Sequence, residues 1–401
     1  MPELLFLTQR IPYPPMKGEK IRPLQILKFL RQRYQVHLGC LIDDPGDWQH
    51  VPVLEQLCGE THFAALNPRI AKLACLRGLL TGEPLSTAYY YDRGLAKWVA
   101  DLLDRRRPDV AFICSSAMAP YVLRRPNPPP RIVMDFADVD ADKWRQYAAR
   151  HGLPMRWVYA RESRVLLAFD REIGRKVDAV TFVSEAEAAL FGSLAPELAP
   201  KTHHVDSGVD AAYFCPMQPL ANPFRGPGPA IVFAGTMNYW PNVDAVAWFA
   251  TEILPRVRSA VAGAEFCIVG ANPDASVRAL TDLPGVSVTG RVEDVRPYLA
   301  HAAVVVAPLR AAGGVQNKVL EGMAMAKTVV ATPRAVAGLL PEAAQWVVVA
   351  DGAEAFAAAV TNAVGTGAAA SFGAGARKTV LDLYNWEKNL QGFLPLLGQP
   401  A

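Results

Sequence analysis

The densest concentration of residues able to do chemistry is the stretch Ala307-Pro-Leu-Arg-Ala-Ala-Gly-Gly-Val-Gln-Asn-Lys-Val-Leu-Glu-Gly-Met-Ala-Met-Ala326. A short apolar strand ends at Pro308, Gly313-Gly314 make a loop, and a helix opens near Val315. Glycines let the backbone approach a ligand closely, and the free amides of a helix start bind phosphate. Arg310 before the loop and Lys318 in the first helical turn add two cations at the same place. Glu321 follows Lys318 by three positions, so both lie on one side of the helix. Its carboxylate can accept two hydrogen bonds from a vicinal diol such as a ribose. The same spacing also describes an ordinary surface pair on a helix, and both readings stay open at this point.

The first half of the chain holds two further groups. Lys17-Gly-Glu-Lys20, with Gly18, follows the first apolar run and opens a helix that carries Arg22. The competing reading is an ordinary strand-to-helix turn with Arg22 on a solvated helix face; a functional role is preferred for Gly18, and both readings stay open for Lys20 and Arg22. Asp135-Phe-Ala-Asp-Val-Asp140 closes a later strand, and Asp138-Val-Asp140 has an Asp-x-Asp spacing. Asp135 and Asp138 are candidates to face a ligand, or else are turn carboxylates satisfied by their own backbone. His37 and the pair His203-His204 lie in strands and read as packed or solvent-facing. No Ser-His-Asp set or glycosidase-type carboxylate pair can be argued from the spacing.

The elements that must position these residues alternate. Leu4–Thr8 reads as a strand, Lys20–Tyr34 as a helix with Ile21, Leu24, Leu27, Leu30 and Tyr34 at helical spacing, and Val36–Ile42 as a strand. Asp109–Cys114, Arg131–Phe136 and Ala179–Val183 continue as buried strands. Ser184-Glu-Ala-Glu187 is a capping box opening the next helix. The pattern restarts near residue 230, with strands at Ala230–Ala234, Phe266–Val269, Val286–Thr289, Val304–Ala307, Thr328–Ala331 and Trp346–Val349. Apolar strands alternating with helices imply parallel sheets covered on both faces. Two such runs imply two doubly wound domains, with Pro216–Pro229 as linker. In folds of this kind ligands bind outside the carboxyl ends of the strands, here in the cleft between domains.

Length and composition agree with two domains. The chain has 401 residues, of which 51% are hydrophobic and 20% charged, as expected of a folded globular protein rather than a disordered or collagen-like one. No run approaches the length of a membrane span, and the first ten residues lack the basic and long apolar regions of a signal peptide. Cys40, Cys58, Cys75, Cys114, Cys215 and Cys267 are widely spaced with no Cys-x-x-Cys and no local His partner, which argues against a disulfide framework or zinc site and fits a cytoplasmic protein. Residues 1–205 carry 28 Lys and Arg against 23 Asp and Glu, whereas residues 206–401 carry 13 against 15. That mild basic excess in the first half fits an anionic small molecule or a membrane surface better than a nucleic acid. Two basic amphipathic segments, Arg69–Leu80 and Met155–Lys176, fit a position on the inner leaflet. Core-facing leucines behind a solvated basic face explain them as well, and that reading is preferred for the second.

Several of these motifs together resemble the retaining GT-B glycosyltransferases of glycosyltransferase family four. Glu321 matches the second of that family's two glutamates, and Thr328-Val-Val-Ala-Thr332 the strand that follows. Ser207-Gly-Val-Asp210 with Phe214 and Pro216 resembles its Asn-Gly-Val-Asp stretch at the domain junction. Thr289-Gly-Arg-Val292 with Asp294 and Pro297-Tyr298 resembles its loop beside the nucleotide base, and Tyr384-Asn-Trp-Glu387 the start of the last helix. A narrower resemblance, through Thr8-Gln-Arg-Ile-Pro-Tyr-Pro-Pro15, Gly18, Arg22, Asp135 to Asp140, Lys143-Trp144 and Gly235-Thr-Met-Asn-Tyr-Trp-Pro-Asn242, is to sugar transferases associated with exosortase (PEP-CTERM) exopolysaccharide loci.

The resemblance implies an α/β fold of GT-B type, two Rossmann-like domains facing across a cleft. Residues 1–205 would form the acceptor-side domain, 206–375 the nucleotide-sugar domain, and 376–401 a helix returning to the first. It implies transfer of a hexosyl group from a nucleotide sugar to a lipid-linked saccharide acceptor in bacterial exopolysaccharide or cell-surface polysaccharide biosynthesis. Retention at the anomeric carbon follows by analogy, with no metal or other cofactor, at a cytoplasmic site peripheral to the inner membrane. Carried over residue by residue, donor binding falls to Gly18, Gly235, Thr236, Asn238, Arg291, Val292, Arg310, Gly313, Gly314, Val315, Lys318 and Glu321, and catalysis to Asp138, Asp135 and Lys318. Two departures stand out. Gly313 occupies the place of the family's first glutamate, which contacts the donor sugar. Gly235-Thr-Met-Asn238 and Pro241-Asn242 stand where an arginine and a lysine usually follow the first strand of the second domain, so phosphate charge falls to Arg310, Lys318 and Arg291. A nucleotide-sugar epimerase and a non-catalytic nucleotide-sugar binding protein are the alternative functions.

Overall fold

The computed structural model describes residues 1–15, 18–365 and 369–398. Lys17, and the side chains of Leu76, Arg77 and Leu80 within the basic segment Arg69–Leu80, lie outside the described residues. The chain divides into two compact units, Met1–Asp206 with Leu390–Ala401, and Ser207–Asn389.

The first unit is built on a seven-stranded sheet of β1 (Glu3–Thr8), β2 (Gln35–Ile42), β3 (Thr61–Ala65), β4 (Val110–Cys114), β5 (Arg131–Ala137), β6 (Ala179–Phe182) and β7 (Thr202–His204), in the order β3-β2-β1-β4-β5-β6-β7. Every pairing is parallel. Leu4, Leu5, Phe6 and Leu7 are all fully buried, because a parallel strand covered by helices on both faces has no polar side. Phe393 returns from the end of the chain to pack edge-on against Phe112 of β4, ring centroids 5.0 Å apart. Ser184 caps the Glu185–Leu194 helix by accepting from the Glu187 N–H. The Glu187 carboxylate also accepts from Val139 N–H at 2.6 Å, tying this helix start to the chain just beyond β5.

The second unit repeats the plan with six parallel strands, β8 (Ala230–Ala234), β9 (Glu265–Val269), β10 (Val286–Val288), β11 (Val304–Ala307), β12 (Val329–Ala331) and β13 (Val348–Val349), ordered β10-β9-β8-β11-β12-β13. The strands expected here all form, within a residue or two at their ends. Pro216–Pro229 does not separate the units but belongs to the second. Phe224 packs edge-on against Tyr298 at 5.9 Å, and the Leu220 carbonyl lies 2.7 Å from His301 Nε2. The chain passes between units at Asp206/Ser207, next to the expected boundary.

The expected return of the chain from residue 376 is displaced. Residues 376–389 stay with the second unit because Tyr384 is buried there and its hydroxyl accepts from Leu340 N–H at 2.8 Å. Trp386 lies against Gly208, where an added Cβ would come within 2.8 Å of the indole. Only the short turns from Leu390 onward join the first unit.

Candidate active site

In each sheet the strand order reverses at one point, between β1 and β4 in the first and between β8 and β11 in the second. Loops leaving such neighbours part in opposite directions and open a crevice at their carboxyl ends. In the second unit those loops are Gly235–Tyr239 and Pro308–Gln316, the two glycine-containing segments singled out in the sequence.

The loop after β8 is held by backbone bonds from Gly235 N–H to Val269 O (3.0 Å) and Met237 N–H to Ala271 O (2.8 Å). Asn242, buried in the Trp240–Trp248 helix, donates from Nδ2 to Thr236 O at 2.9 Å, while its Oδ1 has no hydrogen-bond partner. A Cβ at Gly235 would stand 2.8 Å from Asn242 Nδ2 and push that side chain from its bond to Thr236 O. Thr236 is half-buried, and Asn238 and Tyr239 are exposed.

The loop after β11 is equally constrained. Thr332 Oγ1 donates to Leu309 O at 2.5 Å and Gln316 Nε2 donates to Gly313 O at 2.8 Å. Gly314 has φ 60°, in the left-handed region that favours glycine. No side chain caps the Asn317–Ala324 helix that follows, so its first turn keeps the character of an anion site. Val315, Lys318 and Glu321 are half-buried.

Lys318 Nζ lies 5.4 Å from the centroid of the Phe233 ring on β8 and 3.4 Å from Gln316 Oε1. Desolvation pulls its pKa down to about 8. Burial pushes Glu321 up to about 7, against the opposing pull of Lys318. Among the described residues no ion pair joins the two side chains, and no protein donor reaches the Glu321 carboxylate. The surface-pair reading of Lys318 and Glu321 therefore fails. Two groups with pKa values drawn toward neutrality at a crevice make this a candidate for a binding or catalytic site.

Arg310 does not point its guanidinium at this crevice unaccompanied. Its Nε and Nη2 donate to Asp244 at 3.0 and 2.5 Å, and the group lies 5.3 Å over the Trp248 ring. It straps the β11 loop to the Trp240–Trp248 helix, with its charge already matched by a carboxylate. Arg291 and Val292 follow β10 after Gly290 (φ 71°), on the edge of the sheet and separated from β8 by β9. Arg291 is exposed and Val292 half-buried. Close by, Asp294 takes the Arg296 guanidinium at 2.7 Å and the Tyr213 hydroxyl at 3.0 Å, which pins the start of the unit.

In the first unit, the two aspartates diverge. A bulge between Asp135 and Ala137, with Ala137 at φ 66°, turns β5 as it ends. Asp135 stays inside, accepting from Arg22 Nε and Nη2 at 2.9 Å each and from Thr181 Oγ1 at 2.7 Å. It is a buried counter-ion, 2% exposed, and not a group presented to a ligand. Asp138 emerges beyond the bulge, where Lys143 Nζ reaches its Oδ2 at 2.8 Å while Oδ1 is buried without a partner. Lys20 and Arg22 are also interior. Lys20 pairs with Asp47 at 2.5 Å, and Arg22 further donates to Val205 O at 2.9 Å. Neither lies on a solvated helix face. Gly18 is exposed at the start of its helix.

Other polar groups at the first switch point escaped the sequence reading. Ser115, at φ 79°, donates to Gln9 Oε1 at 2.7 Å. Ser116 donates to Asp170 Oδ1 at 2.5 Å, and burial pushes that acid up to about 8. The signal was available, since Ser115-Ser116 directly follows a predicted strand. Asp170 was not findable, because it sits in the middle of the Met155–Lys176 helix. His37 is packed, with Nδ1 accepting from Glu60 N–H at 3.0 Å. Among the described residues no group of three or more His, Cys, Asp or Glu is placed to hold a metal ion.

Residues 228–365, about a third of the chain and most of the second unit, match the family model described as "Glycosyl transferases group 1". No curated protein matches the chain in sequence. Among solved structures, the chain is similar to sucrose-phosphate synthase from Thermosynechococcus elongatus (TM-score 0.70, 16% identity, 98% of each chain covered). It is also similar to Anabaena HepE in complex with UDP-glucose (0.67, 15%, 99% of this chain and 100% of that one). A third is WaaG, a glycosyltransferase involved in lipopolysaccharide biosynthesis (0.66, 14%, 97% and 98%). The fold is thus GT-B, two Rossmann-like units, as expected from the sequence.

Proposed function

We propose that this chain is a glycosyltransferase that moves a hexosyl group from a nucleoside-diphosphate sugar to a saccharide acceptor. The observation that carries the reading is Glu321, a half-buried carboxylate with no protein donor, beside Lys318 on an uncapped helix that opens from a glycine loop at the switch point. Similarity of this segment to group 1 glycosyltransferases supports it. So does the likeness in fold to a protein whose structure holds UDP-glucose.

In this reading Glu321 accepts hydrogen bonds from a ribose diol, and the helix start and Lys318 meet the diphosphate. The Gly235-Thr236 turn and Asn238 flank the same ligand, with Arg291 and Val292 toward the base. As the glycosidic bond to the phosphate breaks, negative charge grows on the leaving oxygens, and a fixed cation with backbone dipoles stabilises it without reorganising. No metal is needed for that step. Asp138 is assigned to the acceptor by the resemblance of its sequence motif. Retention of configuration, a lipid-linked acceptor, a role in exopolysaccharide synthesis and a peripheral place on the inner membrane follow from the resemblance of the sequence motifs. Gly313 leaves sugar recognition to other groups than the family's first glutamate.

The test is release of nucleoside diphosphate in the presence of a saccharide acceptor. Lys318→Ala is expected to lower kcat about a hundredfold or more, the usual cost of losing one charge-stabilising donor. Nucleotide binding without acceptor-dependent release in the wild type would replace this reading with a binding protein.

A further inference from the structure

The first unit carries two apolar projections that its own core does not cover. One is the Pro68–Thr81 helix, begun by Asn67, whose side chain accepts from the Arg69 and Ile70 N–H groups. The face it turns inward holds Ala71 and Gly78. Ile70 and Leu73, three positions apart and so on one face, are 66% and 68% exposed. At these two positions large apolar side chains face outward, the reverse of the usual amphipathic pattern.

The other projection joins the Asp140–Arg150 and Met155–Lys176 helices. Within five residues, Leu153 is 82% exposed, Met155 41% and Trp157 56%. The turn is not loose. Tyr159 stacks on Trp144 at 5.5 Å and takes His151 edge-on at 5.1 Å, which props the connection from within. Arg161 ties the two projections together, donating to Gly78 O at 2.7 Å and Glu83 O at 3.2 Å at the far end of the first helix.

Charge selects what covers these residues. From Thr61 to Gly82 the chain has three basic residues and no acidic one, and from Lys143 to Arg161 it has five and none. Arg69, Lys72, Arg150 and Arg156 are exposed among the apolar side chains. Exposed Ile, Leu, Met and Trp interleaved with Arg and Lys, without carboxylates, match the boundary between acyl chains and anionic headgroups.

We propose that the Pro68–Thr81 helix and the 150–157 turn form a docking surface for an anionic lipid bilayer. Trp157, Leu153, Ile70 and Leu73 insert at headgroup depth, while the flanking arginines and lysine pair with lipid phosphates. The proposal rests on the glycosyltransferase reading only for its purpose, which is to bring the enzyme to a lipid-borne acceptor. Among the described residues no helix is long and apolar enough to cross a membrane.

The experiment is co-sedimentation of the full chain with vesicles of phosphatidylcholine alone and of phosphatidylcholine with phosphatidylglycerol. Binding is expected to the anionic vesicles only. It should weaken with salt, and fall about fivefold for each basic residue neutralised among Arg69, Lys72 and Arg156. Leu153→Ser with Trp157→Ala, and separately Ile70→Ser with Leu73→Ser, are each expected to cut binding at least tenfold while the melting temperature is kept. Equal binding by wild type and both double variants would overturn the proposal, as would no binding to anionic vesicles. Loss of self-association in the variants, without loss of vesicle binding, would assign the face to a second copy of the chain. Nucleotide binding measured in parallel separates failure here from failure of the enzymatic reading.

Discussion

Glu321 and Lys318 are displaced from their ordinary pKa values in opposite directions by the same cause, loss of water around a charge. The folded protein holds a proton on Glu321 more tightly than the unfolded chain does. Its contribution to stability is therefore present below about 4.5 and is lost as pH rises toward about 7. Lys318 is held less tightly, so its contribution returns as pH rises from about 8 toward 10.5. Ligand binding uses the charged forms of both. Nucleotide affinity is expected to peak between pH about 7 and about 8 and to fall by up to tenfold per pH unit on either side. Titration calorimetry across pH 5 to 10 measures it, with the buffers' own protonation heats subtracted. In Glu321→Gln the acid limb should disappear and the alkaline limb remain. A flat profile in the wild type would remove both groups from the site.

At the scale of elements, the crevice depends on loops whose shape is set from behind. Gly338 backs the loop after β11 so closely that a Cβ there would lie 2.3 Å from Gly314 O. Backbone cannot yield to that as a flexible side chain would, so Gly338→Ala must move the Gly313-Gly314 turn. It is expected to lower nucleotide affinity at least tenfold, by calorimetry, in a protein that still melts cooperatively. Gly192→Ala, with nothing within 4 Å of its added methyl, is the control and should bind as the wild type does. Most of these elements were legible in the sequence, because parallel strands read as continuous apolar runs and Leu4 to Leu7 or Val304 to Val306 leave no ambiguity. The glycine loop was legible for the same reason, since it directly follows such a run, and Glu321 was singled out by its spacing from Lys318 on the helix that the loop opens. Ion pairs across the fold were not. Asp135 looked like a site residue by position, and only tertiary packing brings Arg22 and Thr181 to it. Arg310 looked like a phosphate ligand until Asp244, 66 positions away, took its two donors. β3 was missed because its residues, Thr61-His-Phe-Ala-Ala65, are mostly half-buried at the sheet edge and lack the apolar run that marked the others.

At the scale of the molecule, the two-unit plan followed from the restart of the strand-helix pattern near residue 230. Its seams did not. The segment rich in proline and glycine looked like a linker, yet Leu220 and Phe224 pack on the second unit's core. The last residues complete the first unit, where Phe393 is fully buried and Arg22 lies 5.7 Å over its ring. The basic excess of residues 1–205 gathers in part on the lipid-facing surface proposed above, and Glu321 lies in the other unit. The central claim is that this second unit binds a nucleotide sugar through Glu321. It is tested most directly by thermal shift of wild type and Glu321→Ala with UDP, GDP, ADP, TDP and CDP sugars. A ligand that binds only the folded state, at a hundred times its dissociation constant, adds about 2.7 kcal/mol of stability. The prediction is that one nucleotide raises the melting temperature of the wild type by several degrees and leaves Glu321→Ala where it was. No shift with any nucleotide, or an equal shift in both proteins, would contradict the account.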